Sequence, residues 1–171
     1  MAVLALLGGF ILNLMPCVLP VISLKMLSVI KYSSNELNYI RAYSYDFLNK
    51  WTAHGSDLQA GIDIPYDRFI VIGLNESIKS ATGCSIDSSV RFIQTIESKF
   101  NLVLLDKMNV TYRVNNNIDY TPLKNFISMA KKKLIHEDVI VFNNLVVNKK
   151  EYRTQWEVPA SSSWHSRYFK K

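Results

Sequence analysis

The sequence predicts an α+β fold, in which an N-terminal transmembrane helix precedes a mostly antiparallel sheet packed with about three to four helices. Two observations support this prediction. The first 24 of the 171 residues contain no charged side chain. The rest of the chain alternates amphipathic helical patterns with short apolar runs that turn residues separate. We therefore expect a transmembrane segment over residues 1–32 and a single α+β domain over residues 33–171.

The uncharged run over Met1–Leu24 is long enough to cross a membrane. As a helix it would extend about 36 Å, against about 30 Å for a bilayer core. A cleaved signal peptide is disfavoured because no basic residue precedes the run. A buried helix of a soluble domain is disfavoured by Pro16 and Pro20, which each remove a backbone donor. Neighbouring protein would have to satisfy the freed carbonyls, so we expect membrane lipid and other transmembrane helices or protein partners around this segment.

The charges that flank the run predict its orientation. The nearest basic side chains all follow it along the chain: Lys25, Lys31, Arg41 and Lys50. The positive-inside rule then predicts a single-pass protein of the inner (cytoplasmic) membrane with its C-terminal domain in the cytoplasm. That compartment is reducing, so we expect both Cys17 and Cys84 to be thiols.

The first helix of the domain begins at a capping box. Ser33 and Glu36 have the spacing of that motif, and Gly55 is a stop signal. Apolar residues at helical spacing lie between them: Leu37, Ile40, Phe47, Leu48 and Trp51. His54 then lies at the C-terminal end of this helix, where a cation complements the helix dipole.

A hairpin and a second helix follow. The strands are predicted over Leu58–Ile64 and Arg68–Leu74, with a hinge at Pro65-Tyr66-Asp67 and the second strand central in the sheet. Asp87 is predicted to cap the second helix, which runs to Phe100. Cys84 would then lie at a strand-to-helix junction.

The C-terminal third contains shorter elements. A third helix is predicted to open at Thr121-Pro122, because proline is favoured at the first helical position. The predicted elements are strands over Leu102–Leu105 and Asn109–Val114, the helix from Pro122 to Leu134, a buried strand over Val139–Phe142 and a short helix over Asn148–Trp156.

A thiol site is one hypothesis for the function. A cysteine becomes a reactive thiolate beside a base or a positive helix terminus. The candidate residues are Cys84, His54, His165, Asp87 and His136. The same turn could bind an anion through the backbone amides at the start of the second helix, at Ser85, Asp87, Ser88 and Ser89. The alternative is structural, because a lone cysteine in such a turn is commonly a small buried residue.

Other chemistries lack support in the sequence. Cysteine and histidine occur singly, without the paired spacing of a zinc site, so we expect no metal and no cofactor. The net charge of +6 and the run Lys131-Lys132-Lys133 accompany no nucleic-acid motif, so no nucleic-acid partner is expected. A solvated surface explains these lysines, and anionic lipid is a second possible partner for them.

The segment from Gly8 to Lys25, which contains Pro16-Cys17-Val18-Leu19-Pro20, closely resembles the first transmembrane segment of the DsbD-like proteins, within the cytochrome c biogenesis transmembrane family. In that family the cysteine after proline is half of a redox pair that passes electrons across the membrane. The resemblance implies that Cys17 is a redox thiol and that the chain is related to thiol:disulfide interchange. Its partner cysteine would lie on a later transmembrane helix, and no second apolar run of spanning length follows Ile30.

Residues 33–171 resemble an uncharacterised family of small Bacteroidota proteins that are often labelled ABC transporter ATPase. The resemblance rests on five segments: Trp51 to Gly55, Gly83 to Val90, Phe142 to Val146, Trp156 to Pro159 and Ser163 to Arg167. No phosphate-binding loop of the Gly-x-x-x-x-Gly-Lys-Ser/Thr type occurs, so ATP hydrolysis is excluded. The two resemblances imply a chimera of two genes, whose sheet would lack an edge strand.

Three functional hypotheses remain. The first is a membrane-tethered α+β domain with a non-catalytic binding or interaction function. The second is a fragment of a thiol:disulfide electron-transfer protein that uses Cys17. The third is a cytoplasmic thiol enzyme or redox sensor that uses Cys84, with His54 or His165 as its base.

Overall fold

The computed structural model describes residues 21–24 and 33–170. These residues form two compact units with separate hydrophobic cores. The first unit is the described chain up to Leu105 together with Val147–Lys149, and the second is Asp106–Val146 with the chain from Lys150 onward. A single domain over residues 33–171 stays a prediction.

A three-stranded antiparallel sheet forms the centre of the first unit. Its strands are β1 (Val21–Leu24), β4 (Ala60–Asp63) and β5 (Ile70–Leu74), in the order β1-β5-β4. All five residues of β5 are buried, and β5 lies between the other two strands as the sequence predicts. A 3₁₀ turn over Pro65–Asp67 joins β4 to β5, which confirms the predicted hairpin.

β1 corrects two expectations. Val21–Leu24 lie in the predicted transmembrane helix, yet they form a strand in register with Ile70–Gly73. The sheet was expected to lack an edge strand, and this apolar segment supplies one beside β5. The remainder of the predicted transmembrane segment, residues 1–20 and 25–32, lies outside the described residues, as does Cys17. Within the residues that are described, no helix has both the length and the apolar character needed to span a bilayer.

Helix α1 (Ser34–Lys50) begins as the sequence predicts and ends earlier. The Ser33 hydroxyl accepts the Glu36 amide, and the Glu36 carboxylate accepts the Ser33 amide at 2.8 Å. The helix ends at Lys50 instead of Gly55 because the following residues form a tight hairpin. Its strands are β2 (Thr52–Ala53) and β3 (Ser56–Asp57).

Helix α2 (Gly83–Phe100) begins four residues before the predicted cap. Thr82 is the N-cap, and its hydroxyl and backbone N–H form a capping box with Ser85. Asp87 therefore lies inside the helix, and the prediction that it caps α2 is wrong. Sequence reasoning missed this start because the capping-box pattern normally has glutamate or glutamine at the position of Ser85.

The first core lies between the sheet and the two helices. Apolar side chains of α1, β4, β5 and α2 fill it, and none of those named here is more than 9% exposed: Ile40, Trp51, Ile62, Ile70, Ile72, Leu74, Phe92, Ile93 and Ile96. On α2, Ile93 and Ile96 are fully buried in this core. This burial fixes which faces of α1 and α2 remain at the surface.

The second unit is a four-stranded antiparallel sheet with two helices. The elements are β6 (Asn109–Val114), β7 (Asn117–Pro122), α3 (Leu123–Lys131), β8 (Ile140–Phe142), α4 (Lys149–Gln155) and β9 (Glu157–Pro159). The strands have the order β7-β6-β8-β9 in the sheet. Its core contains Val110, Tyr112, Phe126, Val141 and Ala160. The described chain is therefore α+β with antiparallel sheets and four α-helices.

Three details of the second half differ from expectation. β7 and β9 were not predicted, because their side chains are exposed or half-buried and neither contains a continuous apolar run. The strand predicted over Leu102–Leu105 is absent from the described structure apart from one bridge residue, Val103. The Glu97 carboxylate instead accepts the amides of Leu104 and Leu105, so this segment is held against α2.

Candidate functional site

The first unit contains a cavity of about 590 Å³ beside α1 and α2. Side chains of both helices, of the β2–β3 hairpin and of the α2 N-cap line it. They are Tyr43, Phe47, Lys50, Trp51, Thr52, His54, Thr82, Cys84, Ser88, Arg91, Phe92 and Thr95. Three of the lining residues are predicted site residues: Cys84, His54 and Ser88.

The floor of the cavity is aromatic. Phe47 of α1 stacks on Phe92 of α2 with ring centroids 4.4 Å apart and an interplanar angle of 12°. Tyr43 stacks on the same Phe92 at 5.2 Å, and Phe47 contacts Trp51 at 5.4 Å. Phe92 is buried, whereas Tyr43 and Phe47 are half-buried and keep part of their surface open. Together these four rings form what we call the aromatic floor.

Trp51 joins the end of α1 to the start of α2. Its indole Nε1 donates a hydrogen bond of 2.8 Å to the carbonyl oxygen of Ser85. The side chain is only 2% exposed, and Trp51 is also the C-cap residue of α1. The bond therefore fixes the first turn of α2 relative to the hairpin that follows Trp51, and both contribute to the lining.

One stripe of α2 forms the polar wall of the cavity. Cys84, Ser88, Arg91 and Thr95 are separated by four, three and four residues, which places them on the same face of a helix. Two hydroxyls are already engaged, since Ser88 Oγ donates to the Ser85 carbonyl and Thr95 Oγ1 donates to the Arg91 carbonyl. Arg91 is exposed, and its guanidinium makes no hydrogen bond or ion pair with any residue that the structure describes.

The charge around the cavity is one-sided. Among the lining residues Lys50 and Arg91 are cations and none is a carboxylate. Lys50 is paired with Asp46, with Nζ 2.7 Å from Oδ1, in an exposed ion pair one helical turn apart. Arg91 thus contributes the unpaired positive charge at this site.

His54 occupies a strained position in the hairpin. It has φ 50° and Gly55 has φ 73°, so both central residues of the two-residue turn are left-handed. Such turns favour asparagine followed by glycine, and histidine is tolerated there at some cost. The predicted position of His54 at the end of the first helix is therefore wrong, because α1 has already ended at Lys50.

Cys84 is an exposed free thiol in the first turn of α2. It lines the same cavity as His54, which the thiol hypothesis requires. In the described part of the chain, however, no hydrogen bond joins the Cys84 sulfur to the His54 imidazole, and each side chain is exposed. The geometry brings the two residues to one cavity without pairing them.

The four residues of the predicted anion site have separate environments. Ser85 is 2% exposed and belongs to the cap of α2, and its amide donates to Thr82 Oγ1. Ser89 is fully buried and donates to the Ile86 carbonyl at 2.7 Å. Asp87 is exposed, and Ser88 alone of the four lines the cavity. The backbone amides from residue 87 onward lie within the helix, where they donate to carbonyls one turn back.

His165 lies in the second unit and does not line the cavity. It is 1% exposed, its Nδ1 lies 2.8 Å from the Ser163 hydroxyl, and its ring stacks on Trp164 at 3.8 Å. It also contacts the edge of Phe126 in the core of that unit. His136, the remaining histidine among the candidate residues, is exposed. The environment of His165 is that of a buried packing residue.

A metal centre finds no support in the described residues. No group of three or more His, Cys, Asp or Glu side chains among them is placed to hold a metal ion.

In the second unit, burial raises the pKa of Tyr112 and the nearby Asp119 carboxylate raises it further, which keeps the phenol protonated. Tyr112 packs on Phe126, so we assign it to the core of that unit.

Comparison with known proteins gives no relative. No protein-family model, no curated protein and no solved structure matches the chain.

Proposed function

We propose that this chain is a membrane-tethered α+β domain with a non-catalytic binding function, and that the cavity of the first unit is its binding site. One observation carries the proposal. A cavity of about 590 Å³ combines an aromatic floor with an unpaired guanidinium at Arg91. Small-molecule sites are typically concave, between about 300 and 1,000 Å³, and largely apolar with a few polar groups.

The non-catalytic part of the proposal rests on how the polar side chains are engaged. The Ser88 and Thr95 hydroxyls donate to backbone carbonyls of their own helix. A nucleophilic hydroxyl needs a base within hydrogen-bond reach, and these two donate to main-chain oxygens instead. The lining thus has groups that can hold a ligand, while neither of these two hydroxyls is paired with a base.

The binding site is tested by filling the cavity in the full chain, held in micelles of a neutral detergent. Ser88→Trp places a large ring in the lining, and Gln94→Trp places the same ring at an exposed position of α2 outside it. Saturation-transfer NMR with indole, benzyl alcohol, benzoate and phenyl phosphate measures binding. We expect some of these probes to bind the parent chain and the Gln94→Trp variant but not Ser88→Trp. Failure of every probe to bind the parent chain would refute the proposed site.

The tether rests on the sequence of the N-terminal segment. With Val21–Leu24 in the sheet, residues 1–20 remain an uncharged run, which would extend about 30 Å as a helix. We expect the chain to stay in the membrane fraction after high-salt and carbonate washing. A variant with Leu6→Lys and Leu12→Lys, which charges this run, should be released. Complete release of the parent chain would contradict the tether.

A thiol enzyme or redox sensor that uses Cys84 is a second candidate function. It is favoured by one observation, that Cys84 and His54 line the same cavity. In a Cys17→Ser background, the rate at which iodoacetamide alkylates Cys84 would fall at least about tenfold on His54→Asn if the imidazole activated the thiol. An unchanged rate is expected if Cys84 is only part of a binding site.

Electron transfer through Cys17 is a third candidate, supported by the DsbD-like sequence alone. It predicts mixed disulfides on Cys17 when membranes are treated with acid and an alkylating agent to trap them. A Cys17→Ser variant is the control. If no Cys17-dependent species were trapped, this candidate would be ruled out.

A further inference from the structure

We infer that the cavity of the first unit takes small aromatic anions, in which a ring carries a carboxylate or a phosphate group. The inference rests on the proposed function, because it assigns a ligand class to the same cavity. It depends on three features of the lining: the aromatic floor, the unpaired guanidinium next to it, and the first turn of α2.

The aromatic floor gives the cavity a surface on which a planar ring can stack. Tyr43 and Phe47 both stack on Phe92, and both are half-buried and line the cavity. Aromatic rings prefer offset-stacked and edge-to-face neighbours, and a ligand ring in this cavity would meet these side chains. An aliphatic ligand would gain burial at this surface but not the ring contact.

Arg91 places a cation directly beside this floor. Arg91 and Phe92 both line the cavity, and the Arg91 guanidinium has no partner among the described residues. A guanidinium presents donors in a planar fork that matches a carboxylate or a phosphate. Lys50 also lines the cavity, but its ammonium forms an exposed ion pair with Asp46 at 2.7 Å. An anionic group is therefore expected to bind at Arg91.

The first turn of α2 adds positive potential at the same end of the cavity. Cys84 lies in that turn and belongs to the lining. The first amides of a helix lack intrahelical partners and form the positive end of its dipole. Since α2 contains 18 residues, this end carries the full effect of a long helix. No carboxylate of the described lining opposes it.

The engaged hydroxyls strengthen the choice of an anion over a cation. Ser88 and Thr95 use their hydrogens in bonds to α2 carbonyls, at 2.8 and 3.0 Å. A cationic ligand would find no carboxylate in the described lining, and Arg91 would repel it. The charge of the lining therefore disfavours amines.

The test compares anionic aromatic probes with neutral aromatic probes and with a ring-free anion, using the full chain in neutral-detergent micelles. Phenyl phosphate and benzoate are the anions, benzyl alcohol and benzamide are their neutral counterparts, and inorganic phosphate lacks the ring. Isothermal titration calorimetry and saturation-transfer NMR give the affinities. We expect each anion to bind at least about tenfold more tightly than its neutral counterpart, and phenyl phosphate at least about tenfold more tightly than inorganic phosphate.

Two variants assign the effect to Arg91. Arg91→Ala should lower the affinity for phenyl phosphate at least about tenfold and leave benzyl alcohol binding unchanged. Lys99→Ala removes another exposed cation of α2, one that lies outside the lining and over the Tyr39 ring, and should change neither affinity.

The outcomes separate the ligand class from the site itself. Equal binding of anionic and neutral probes, lost in Ser88→Trp, would overturn the inference and leave the proposed site standing. An equal effect of Arg91→Ala and Lys99→Ala would also overturn it, because general charge would then explain the preference. If none of the probes bound, the proposed site and its ligand class would fail together.

Discussion

His54 adopts a left-handed backbone conformation, with φ 50°, in the turn between β2 and β3. A side chain with a Cβ is strained there, and asparagine is the residue that this turn type favours before glycine. Its presence in the lining of the cavity means that a local cost is tolerated at the candidate site. Strained residues of this kind are more often found at binding sites than elsewhere.

We predict that His54→Asn stabilises the chain. The variant should raise the free energy of unfolding of the first unit by about 0.5 kcal/mol, because asparagine relieves part of the strain. Urea denaturation monitored by fluorescence measures the change. His136→Asn, at an exposed position with ordinary backbone geometry, should leave stability unaltered. A loss of stability in His54→Asn would show that the imidazole makes a contact that outweighs the strain.

Gly55 gives the complementary prediction. Its φ of 73° is unfavourable for any residue with a side chain, while the space around it is open, with nothing within 4 Å of an added Cβ. Gly55→Ala should therefore cost about 1 kcal/mol through backbone strain alone. Gly83→Ala, which also meets open space but has no positive φ, is the matched control and should cost far less. Equal costs in the two variants would contradict this account.

Tyr112 makes stability depend on pH in the alkaline range. Its pKa in the folded chain lies above the ordinary value of 10.0, because burial and then Asp119 disfavour the phenolate. The unfolded chain loses this proton first as pH rises, so the stabilisation is complete below pH 10.0 and is lost as pH rises through the folded-state pKa. Tyr112→Phe should flatten the fall in stability above about pH 10, measured by urea denaturation from pH 8 to 11. The half-buried Tyr120 on the neighbouring strand is the control, and an unchanged profile in Tyr112→Phe would refute the assignment.

At the scale of elements, β1 is the feature that sequence reasoning did not anticipate. Four residues of an apolar segment pair with β5 as an antiparallel strand. In an antiparallel edge strand, the N–H groups alternate between the neighbouring strand and the other side. Proline is tolerated where the N–H does not bond to the sheet.

This alternation gives a sharp prediction. Single proline substitutions at Val21, Ile22, Ser23 and Leu24 should destabilise the first unit at every second position, by about 1–3 kcal/mol for each lost bond. The other two positions should be affected much less. Hydrogen exchange at the β5 amides and urea denaturation measure the pattern. Four equal effects, or none, would show that these residues do not pair as an edge strand.

Helix boundaries illustrate what local sequence can and cannot reveal. The start of α1 was predictable because Ser33 and Glu36 form a capping box. The end of α1 was not predictable, because Gly55 suits a helix stop and a hairpin turn equally well. The local sequence does not reveal the tertiary bond from Trp51 to the Ser85 carbonyl, which accompanies the hairpin. The start of α2 was missed since Thr82 and Ser85 do not have the usual cap pattern.

At the scale of the whole molecule, the sequence predicted the α+β class, the β4–β5 hairpin and the antiparallel pairing. It did not predict two compact units, because apolar periodicity marks buried faces without saying which core each face enters. The candidate site was predictable in part. Cys84 and His54 reach one cavity, while Arg91 and the aromatic floor were overlooked, since their positions matter only once α1 lies beside α2.

The pairing of β1 with β5 has an evolutionary consequence. A sheet edge offers hydrogen-bonding groups of the main chain, which every residue except proline can match, so almost any short extended segment can fill it. If the N-terminal segment was acquired from an unrelated gene, no compensating mutations in β5 would have been required for the junction to fold. A sheet with one open edge is in this sense a permissive acceptor for gene fusion.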